Sequence, residues 1–150
     1  MKQIVADASA LLPAWLPHEE HQAYTDQLLQ LHADGELELC APALLASEIL
    51  NGLYLAVRGK AGQAPRLTME GAQERWQLFL ELQIALKHVE ELGLHAMELA
   101  SKYRQPSAYD AVYLALAEQM KAPLVTADKR LLNTVRGQSK WVKPLWAFKP

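Results

Sequence analysis

The stretch "AYDAVYLALAEQMKAPLVTADKRLL", residues 108 to 132, joins an apolar helix to a short apolar strand. It also contains two aspartates: Asp110 lies near the start of the helix, and Asp128 directly follows the strand "PLVTA". Burying an unpaired carboxylate costs several kcal/mol, a large part of the stability of a small domain. We therefore expect each of these acids to have a partner or a chemical role.

Short apolar runs alternate with helical segments along the chain, which is typical of an α/β fold with a mostly parallel central sheet. No repeat or linker interrupts the pattern, and 150 residues predict a single domain over residues 1–150. Strands are predicted at 3–6, at 123–127, near "HVEEL" and near "KWVKPLW", while 36–41 is a strand or an approach to the next helix. Helices are predicted from about Ser9, at 18–34, at 42–57 with Pro42 in the first turn and Gly59 after the end, at 69–86, at 94–103, after Ser107 and from Asp128.

Composition limits the function classes. The formal net charge of −2 argues against a strongly cationic nucleic-acid binder, and the only cysteine, Cys40, is predicted in the core of a strand. No run approaches the roughly 18 consecutive apolar residues of a membrane span. Asp7, Pro13 and Pro17 interrupt any secretory signal. We therefore expect a cytoplasmic protein without a membrane partner.

Positive charge is concentrated towards the C-terminal end. Residues 121–150 contain seven lysines and arginines against one acid, Asp128. This segment is either an ordinary solvated surface or a surface that faces phosphate groups, and charge alone leaves both interpretations open.

Two aspartates directly follow predicted strands. Asp7 comes after "IVA" and Asp128 comes after "PLVTA". Ligands of open parallel sheets bind at the carboxyl ends of strands, so both acids are well placed for chemistry. The alternative is that each is only the N-cap of the helix that follows it.

Asp110 and Glu48 lie within predicted helices. Ser107 and Asp110 fit a capping box, in which Asp110 would serve only the helix start. Glu48 shares one helical face with apolar positions 44, 45, 49, 53 and 56 and has no capping role. It either reaches out to an edge or meets a partner inside. Because no lysine or arginine stands one turn away, the pattern favours a metal or catalytic site.

A hard divalent cation is the simplest common partner for the four acids. Mg²⁺ and Mn²⁺ prefer carboxylate oxygens, water and substrate phosphates. Five histidines, at positions 18, 21, 32, 88 and 95, lack zinc-site spacing apart from the pair 18 and 21, which we interpret as an exposed helix start. No phosphate-binding glycine motif occurs.

The segments "VADAS", "SEILNGL", "YDAVYLALAE" and "LVTADKRL" resemble the PIN domain family, in particular its VapC toxin group. The resemblance spans nearly the whole chain, although residues 59–91 carry no family signature. It implies a PIN-like three-layer α/β/α sandwich with a mostly parallel central sheet. It also implies a metal-dependent endoribonuclease, usually a homodimer, that is the toxin of a type II toxin–antitoxin pair and is restrained by an antitoxin protein.

The resemblance also implies roles for particular residues, with Mg²⁺ or Mn²⁺ as the cofactor and RNA as the substrate. The expected metal-binding and catalytic residues are Asp7, Glu48 and Asp110 for a first ion and Asp128 for a second ion or for positioning water; Ser9 and Thr126 would support them, and Lys129 and Arg130 would contact the RNA backbone.

Two other functions remain open from the sequence. A haloacid dehalogenase-type phosphatase also has an aspartate after its first strand, but it normally needs a second one two residues later, where this chain has Ser9. A catalytically inactive PIN-like module that binds RNA or protein is the other alternative, and the presence of all four acids argues against it.

Overall fold

The computed structural model of the protein describes residues 1–17, 19–135 and 137–150. Within these ranges the strands form one sheet in the order β3-β2-β1-β4-β5, and every neighbouring pair is parallel. This confirms the predicted parallel α/β architecture. The strands are β1 (Lys2–Ala6), β2 (Leu37–Pro42), β3 (Ala85–Lys87), β4 (Leu124–Thr126) and β5 (Val142–Pro144).

Helices cover both faces of the sheet. Consecutive residues of a strand point to opposite faces, and Ile4, Val5 and Ala6 of β1 are all fully buried. None of the helices in the described part of the chain is long and apolar enough to cross a membrane. The α-helices are α1 (Ala8–Leu11), α2 (Gln22–Ala33), α3 (Leu44–Arg58), α4 (Met69–Glu81), α5 (Gly93–Lys102), α6 (Tyr109–Met120) and α7 (Lys129–Val135), with short 3₁₀ turns at Leu12–Ala14, Val89–Glu91 and Leu145–Ala147.

Helix α6 is the central helix of the fold. Residues 111–117 are all buried, and the helix packs against α5, β1 and β2. This explains why its sequence is apolar nearly all round, since a helix enclosed on all sides has no polar face. Its first turn, which carries Asp110, is held in a fixed position as a result.

Several predicted boundaries were wrong. The helix predicted at 18–34 begins at Gln22 in the described residues, and His18 lies outside them. Pro42 is the last residue of β2, so it does not lie in the first turn of α3. An imino residue has no N–H to donate but is tolerated at a strand end, so the same residue fits either position. Gly59 does follow α3, with φ +79°.

The segment after α4 also differs from the prediction. The helix predicted at 69–86 ends at Glu81, and Gln83 has the left-handed φ of 51° that reverses the chain. The strand predicted near "HVEEL" is instead β3, Ala85–Lys87, and residues 89–91 form a 3₁₀ turn. A three-residue edge strand with exposed Leu86 is too short to show alternation in the sequence.

The strand order places β1 next to β4, and the chain winds away from this pair in opposite directions. Such a reversal opens a crevice at the carboxyl ends of the two strands, where open α/β sheets bind ligands. Asp7 follows β1 and Asp128 lies two residues beyond β4. Cys40, as predicted, is fully buried in β2.

Candidate active site

Asp7 lies in the crevice between β1 and β4 and is 7 % exposed. It is the N-cap of α1, since its Oδ1 accepts the Ala10 N–H at 3.1 Å. Two hydroxyls donate to the same carboxylate: Ser9 Oγ to Oδ1 at 2.6 Å and Thr126 Oγ1 to Oδ2 at 2.5 Å. Asp7 is therefore an N-cap, as one interpretation of the sequence expected, and its carboxylate is also held by two hydroxyls.

The two hydroxyls also fix the chain after β4. Ser9 Oγ lies 3.2 Å from Thr126 Oγ1 and accepts the Ala127 N–H at 2.9 Å. Thr126 Oγ1 accepts the Asp128 N–H at 3.0 Å. The ends of β1 and β4 are thus joined by one polar network that includes Ser9 and Thr126.

Asp128 is half-buried at the start of α7. Its Oδ1 accepts the backbone N–H groups of Arg130 at 2.9 Å and Leu131 at 3.2 Å. These are capping contacts, and they leave the other carboxylate oxygen free of backbone partners among the described residues. Asp128 therefore caps the start of α7 through Oδ1.

Asp110 does not form the capping box that the sequence allowed. The N-cap of α6 is Ala108, and no side chain caps it. Asp110 is the second residue of the helix, and its Oδ2 is paired with Arg130 Nη2 at 3.4 Å, an exposed contact that the sequence did not predict. The capping interpretation of Asp110 was therefore wrong.

Glu48 meets a partner inside the protein. Its Oε1 accepts a hydrogen bond of 2.5 Å from the hydroxyl of Tyr113, a buried residue of α6. Sequence reasoning missed Tyr113, although a signal was present. It lies one turn after Asp110 on the same side of α6, and a buried tyrosine hydroxyl usually needs a polar partner.

Burial and mutual repulsion raise the pKa values of three of these acids. Burial raises the pKa of Asp7 to about 6, although hydrogen bonds from Ser9 and Thr126 oppose the shift, and the charge of Asp110 adds to it. Burial and then the charge of Asp128 raise the pKa of Asp110, while Arg130 lowers it.

Glu48 and Tyr113 belong to the same electrostatic cluster. Burial raises the pKa of Glu48; the Tyr113 hydrogen bond lowers it and the charge of Asp110 raises it. Burial and the neighbouring Glu48 raise the pKa of the Tyr113 phenol. Because Asp110 interacts with each of the other three acids, the four carboxylates share one electrostatic neighbourhood.

The donors in this neighbourhood suit a hard divalent cation. All are carboxylate or hydroxyl oxygens, and burial, followed by neighbouring negative charge, raises the pKa values of Asp7, Glu48 and Asp110. As their side chains stand, no three histidine, cysteine or acidic residues in the described ranges form a group that could hold a metal ion. Asp7, Glu48 and Asp110 instead accept hydrogen bonds from hydroxyl and guanidinium groups.

Two basic side chains stand beside the acids. Lys129 and Arg130 are exposed in the first turn of α7, directly after Asp128. The Arg130 side chain is 67 % exposed while it contacts Asp110, so water screens this ion pair and its contribution to stability is small. Arg136, another residue of the basic segment, lies outside the described residues.

The sequence profile of the PIN domain family matches residues 4–137, and the chain belongs to this family. A VapC ribonuclease of Mycobacterium bovis is 36 % identical over 135 residues, which cover 90 % of this chain and 93 % of that protein. A VapC ribonuclease of Pyrobaculum aerophilum is 31 % identical over 130 residues, which cover 86 % of this chain and 92 % of that protein. The resemblance seen in the sequence motifs is confirmed.

Solved structures of similar fold include two toxin–antitoxin complexes. One is from Klebsiella pneumoniae, with a TM-score of 0.65 and 13 % identity, covering 95 % of this chain and 97 % of that one. The other is VapBC2 from Rickettsia felis bound to a DNA fragment from its promoter, with a TM-score of 0.65 and 14 % identity, covering 95 % and 98 %. At this identity the likeness shows the fold, and it confirms the predicted PIN-like sandwich.

Proposed function

We propose that residues 1–150 form one nuclease domain that hydrolyses RNA phosphodiester bonds with the help of Mg²⁺ or Mn²⁺. The observation that supports the proposal is that Asp110 is electrostatically coupled to each of the three other acids, Asp7, Glu48 and Asp128. Two relatives that match most of the chain are VapC ribonucleases. By analogy we infer the toxin of a toxin–antitoxin pair, acting in the cytoplasm.

The four acids would have different roles in binding the metal. Asp7, Glu48 and Asp110 would hold a first ion, and Asp128 would hold a second ion or orient water. Such an ion, when bound, lowers the pKa of water and offsets negative charge on the phosphate.

Hydroxyl and basic groups would support these acids. Ser9 and Thr126 hold the carboxylate of Asp7 in one orientation through their hydrogen bonds. Lys129 and Arg130 would hold the RNA backbone, and Arg130 would leave Asp110 for a phosphate when RNA and the ion arrive.

The test is RNA cleavage by the purified protein with Mg²⁺ or Mn²⁺ and, in parallel, with EDTA. We expect cleavage only with metal, and no cleavage by Asp7→Asn or Asp110→Asn. Asp26→Asn, at an exposed position of α2, is the matched control and should cleave like the wild type. Circular dichroism would check that each variant is folded. Cleavage at the wild-type rate by either site variant would contradict the site assignment.

The same assay separates the alternatives. RNA binding without cleavage would indicate a catalytically inactive PIN-like module. Hydrolysis of a small phosphomonoester in place of RNA would indicate a phosphatase, although the Ser9 hydroxyl stands beside Asp7 where a phosphatase of the haloacid dehalogenase type has its second acid.

A homodimer is the first proposed assembly. An apolar depression lies between α5 and the start of α6, and exposed Leu94, Met97 and Tyr109 stand in or near it. Exposed apolar surface of this kind commonly marks a protein interface. Tyr109 and Asp110 lie in the same first turn of α6, so a second copy on this surface would lie near that turn. We expect Met97→Glu to convert a dimer to a monomer in light scattering.

An antitoxin is the second proposed partner. A groove of about 580 Å³ runs between α3 and α4, and exposed Leu50, Tyr54 and Met69 line it. Its acidic rim residues Glu70 and Glu74 would suit a segment that carries basic side chains. Co-purification with the product of the neighbouring reading frame should be lost in Tyr54→Glu and kept in Met97→Glu. The reverse result would mean that the antitoxin binds the surface between α5 and α6 and the second copy binds the groove between α3 and α4.

A further inference from the structure

Tyr113 is a buried polar side chain among aliphatic neighbours on α6. It is 2 % exposed, and the residues on either side of it in the helix, Val112 and Leu114, are also buried. Its hydroxyl donates to Oε1 of Glu48 at 2.5 Å and so connects α6 to α3. A phenylalanine would fill nearly the same space. What the tyrosine adds is therefore its hydrogen bond to Glu48.

The hydroxyl changes what Glu48 can offer to a cation. A phenolic O–H donates at neutral pH, and the Oε1 that accepts it is engaged by a strong, charge-assisted hydrogen bond. Oε2 is then the oxygen of Glu48 that is available for a metal. In contrast to an unrestrained glutamate, Glu48 is set up to bind through one oxygen.

The number of oxygens that each carboxylate provides matters for metal choice. Ca²⁺ takes six to eight ligands and readily accepts both oxygens of one carboxylate, as in the bidentate glutamate of calcium-binding loops. Mg²⁺ demands near-octahedral coordination and is usually held by single carboxylate oxygens and water. A glutamate restricted to one oxygen therefore favours the smaller ion.

We propose that Tyr113 is a positioning residue that holds Glu48 as a one-oxygen ligand and thereby makes the site select Mg²⁺ or Mn²⁺ over Ca²⁺. This inference rests on the proposed function, because it requires Glu48 to bind a cation. It goes further by assigning the selectivity of the site to a residue that does not itself contact the ion.

The test is cation binding by Tyr113→Phe, measured from the rise in melting temperature at increasing Mn²⁺, Mg²⁺ or Ca²⁺. We expect the ratio of the Ca²⁺ dissociation constant to the Mn²⁺ dissociation constant to fall by about tenfold, within the range found when partners of metal ligands are removed. Tyr103→Phe is the matched control, since Tyr103 is also buried, at 4 % exposed, and its hydroxyl contacts no carboxylate in the described ranges. It should leave the ratio unchanged.

The possible results separate the two proposals. A wild-type protein that responds to Mn²⁺ together with an unchanged ratio in Tyr113→Phe would overturn the role of Tyr113. A wild-type protein without any response to cations would overturn the proposed metal site and this inference with it. If Tyr113→Phe does not fold, Tyr113→Met removes the same hydroxyl with a flexible apolar side chain and is interpreted in the same way.

Discussion

Thr126 donates a hydrogen bond of 2.5 Å from its hydroxyl to Oδ2 of Asp7, which lies 119 positions away in the chain. The contact spans β1 and β4, the two strands between which the sheet reverses its direction of winding. The acid beyond β1 is therefore held by a hydroxyl from the end of β4, and this arrangement leads to a specific prediction.

Thr126→Val keeps the shape of the side chain but removes the donor to Asp7. We expect a loss of about 1–3 kcal/mol in the free energy of unfolding, because a buried carboxylate loses a hydrogen bond, and a 10- to 100-fold loss in metal affinity or cleavage rate. Urea unfolding and RNA cleavage at saturating Mn²⁺ measure the two effects.

Thr25→Val is the matched control. Thr25 is fully buried and donates to the Ala10 carbonyl at 2.8 Å, not to a carboxylate. The Thr25→Val variant should lose about as much stability as Thr126→Val but should cleave RNA at the wild-type rate. Equal loss of cleavage in both variants would mean that Thr126 acts only through stability.

The metal-free protein should become less stable as the pH rises from about 4 through about 6. The pKa of Asp7 is raised to about 6 from its ordinary value of 3.8, so the folded state binds this proton more tightly than the unfolded state does. The full shift corresponds to about 3 kcal/mol, of which about 1 kcal/mol is lost between pH 5 and pH 7.5. The raised pKa values of Glu48 and Asp110 act in the same direction.

Urea unfolding in EDTA at pH 5 and pH 7.5 measures this loss. The difference between wild type and Asp7→Asn isolates the contribution of Asp7, because the two proteins differ at no other ionisable group. A pH dependence that is identical in the two proteins would show that Asp7 is not held at a raised pKa.

Lys129 and Arg130 should contribute to RNA binding by neutralising phosphate charge. Replacing either with alanine should weaken binding and reduce the slope of log affinity against log salt concentration by roughly one unit for each phosphate that is no longer neutralised. Arg58→Ala is the control, since Arg58 is exposed at the far end of α3, about 15 Å along the helix from Glu48. If the Lys129 and Arg130 variants show the same salt-dependence slope as the wild type, these residues do not contact phosphate and belong to an ordinary solvated surface.

The fold could be predicted from the sequence where single elements carry a strong pattern. The apolar runs of β1 and β4 and the largely apolar α6 indicated a parallel sheet enclosed by helices. The end of α4 and the position of β3 were missed, because the left-handed turn at Gln83 leaves no glycine signal and β3 has only three residues.

For the proposed site, the sequence indicated four candidate acids and two supporting hydroxyls, but not every contact that these acids make. Asp7 and Asp128 follow strands, and this position is visible in the sequence. The Tyr113 hydrogen bond to Glu48 and the Arg130 contact to Asp110 depend on how α3, α6 and α7 pack together, so sequence spacing does not report them. The capping box expected at Ser107 failed because α6 begins one residue later, at Tyr109.

The central claim is that the four acids form one cluster that binds one or two cations, and Asp110→Asn tests it most directly. Neutralising Asp110 removes repulsion from the three other carboxylates, so the melting temperature of the metal-free protein should rise or stay unchanged despite the absence of the Arg130 ion pair. Mg²⁺ or Mn²⁺ at about 100 times the dissociation constant should stabilise the wild type by about 2.7 kcal/mol, or about 5–10 °C.

The measurement is a set of melting curves of wild type, Asp110→Asn and the exposed control Asp26→Asn, each with metal and with EDTA. We predict that Asp110→Asn loses most of the metal-induced rise without melting lower in EDTA, whereas Asp26→Asn keeps the full rise. A lower melting temperature of Asp110→Asn in EDTA, together with an undiminished rise on adding metal, would contradict the shared cation site.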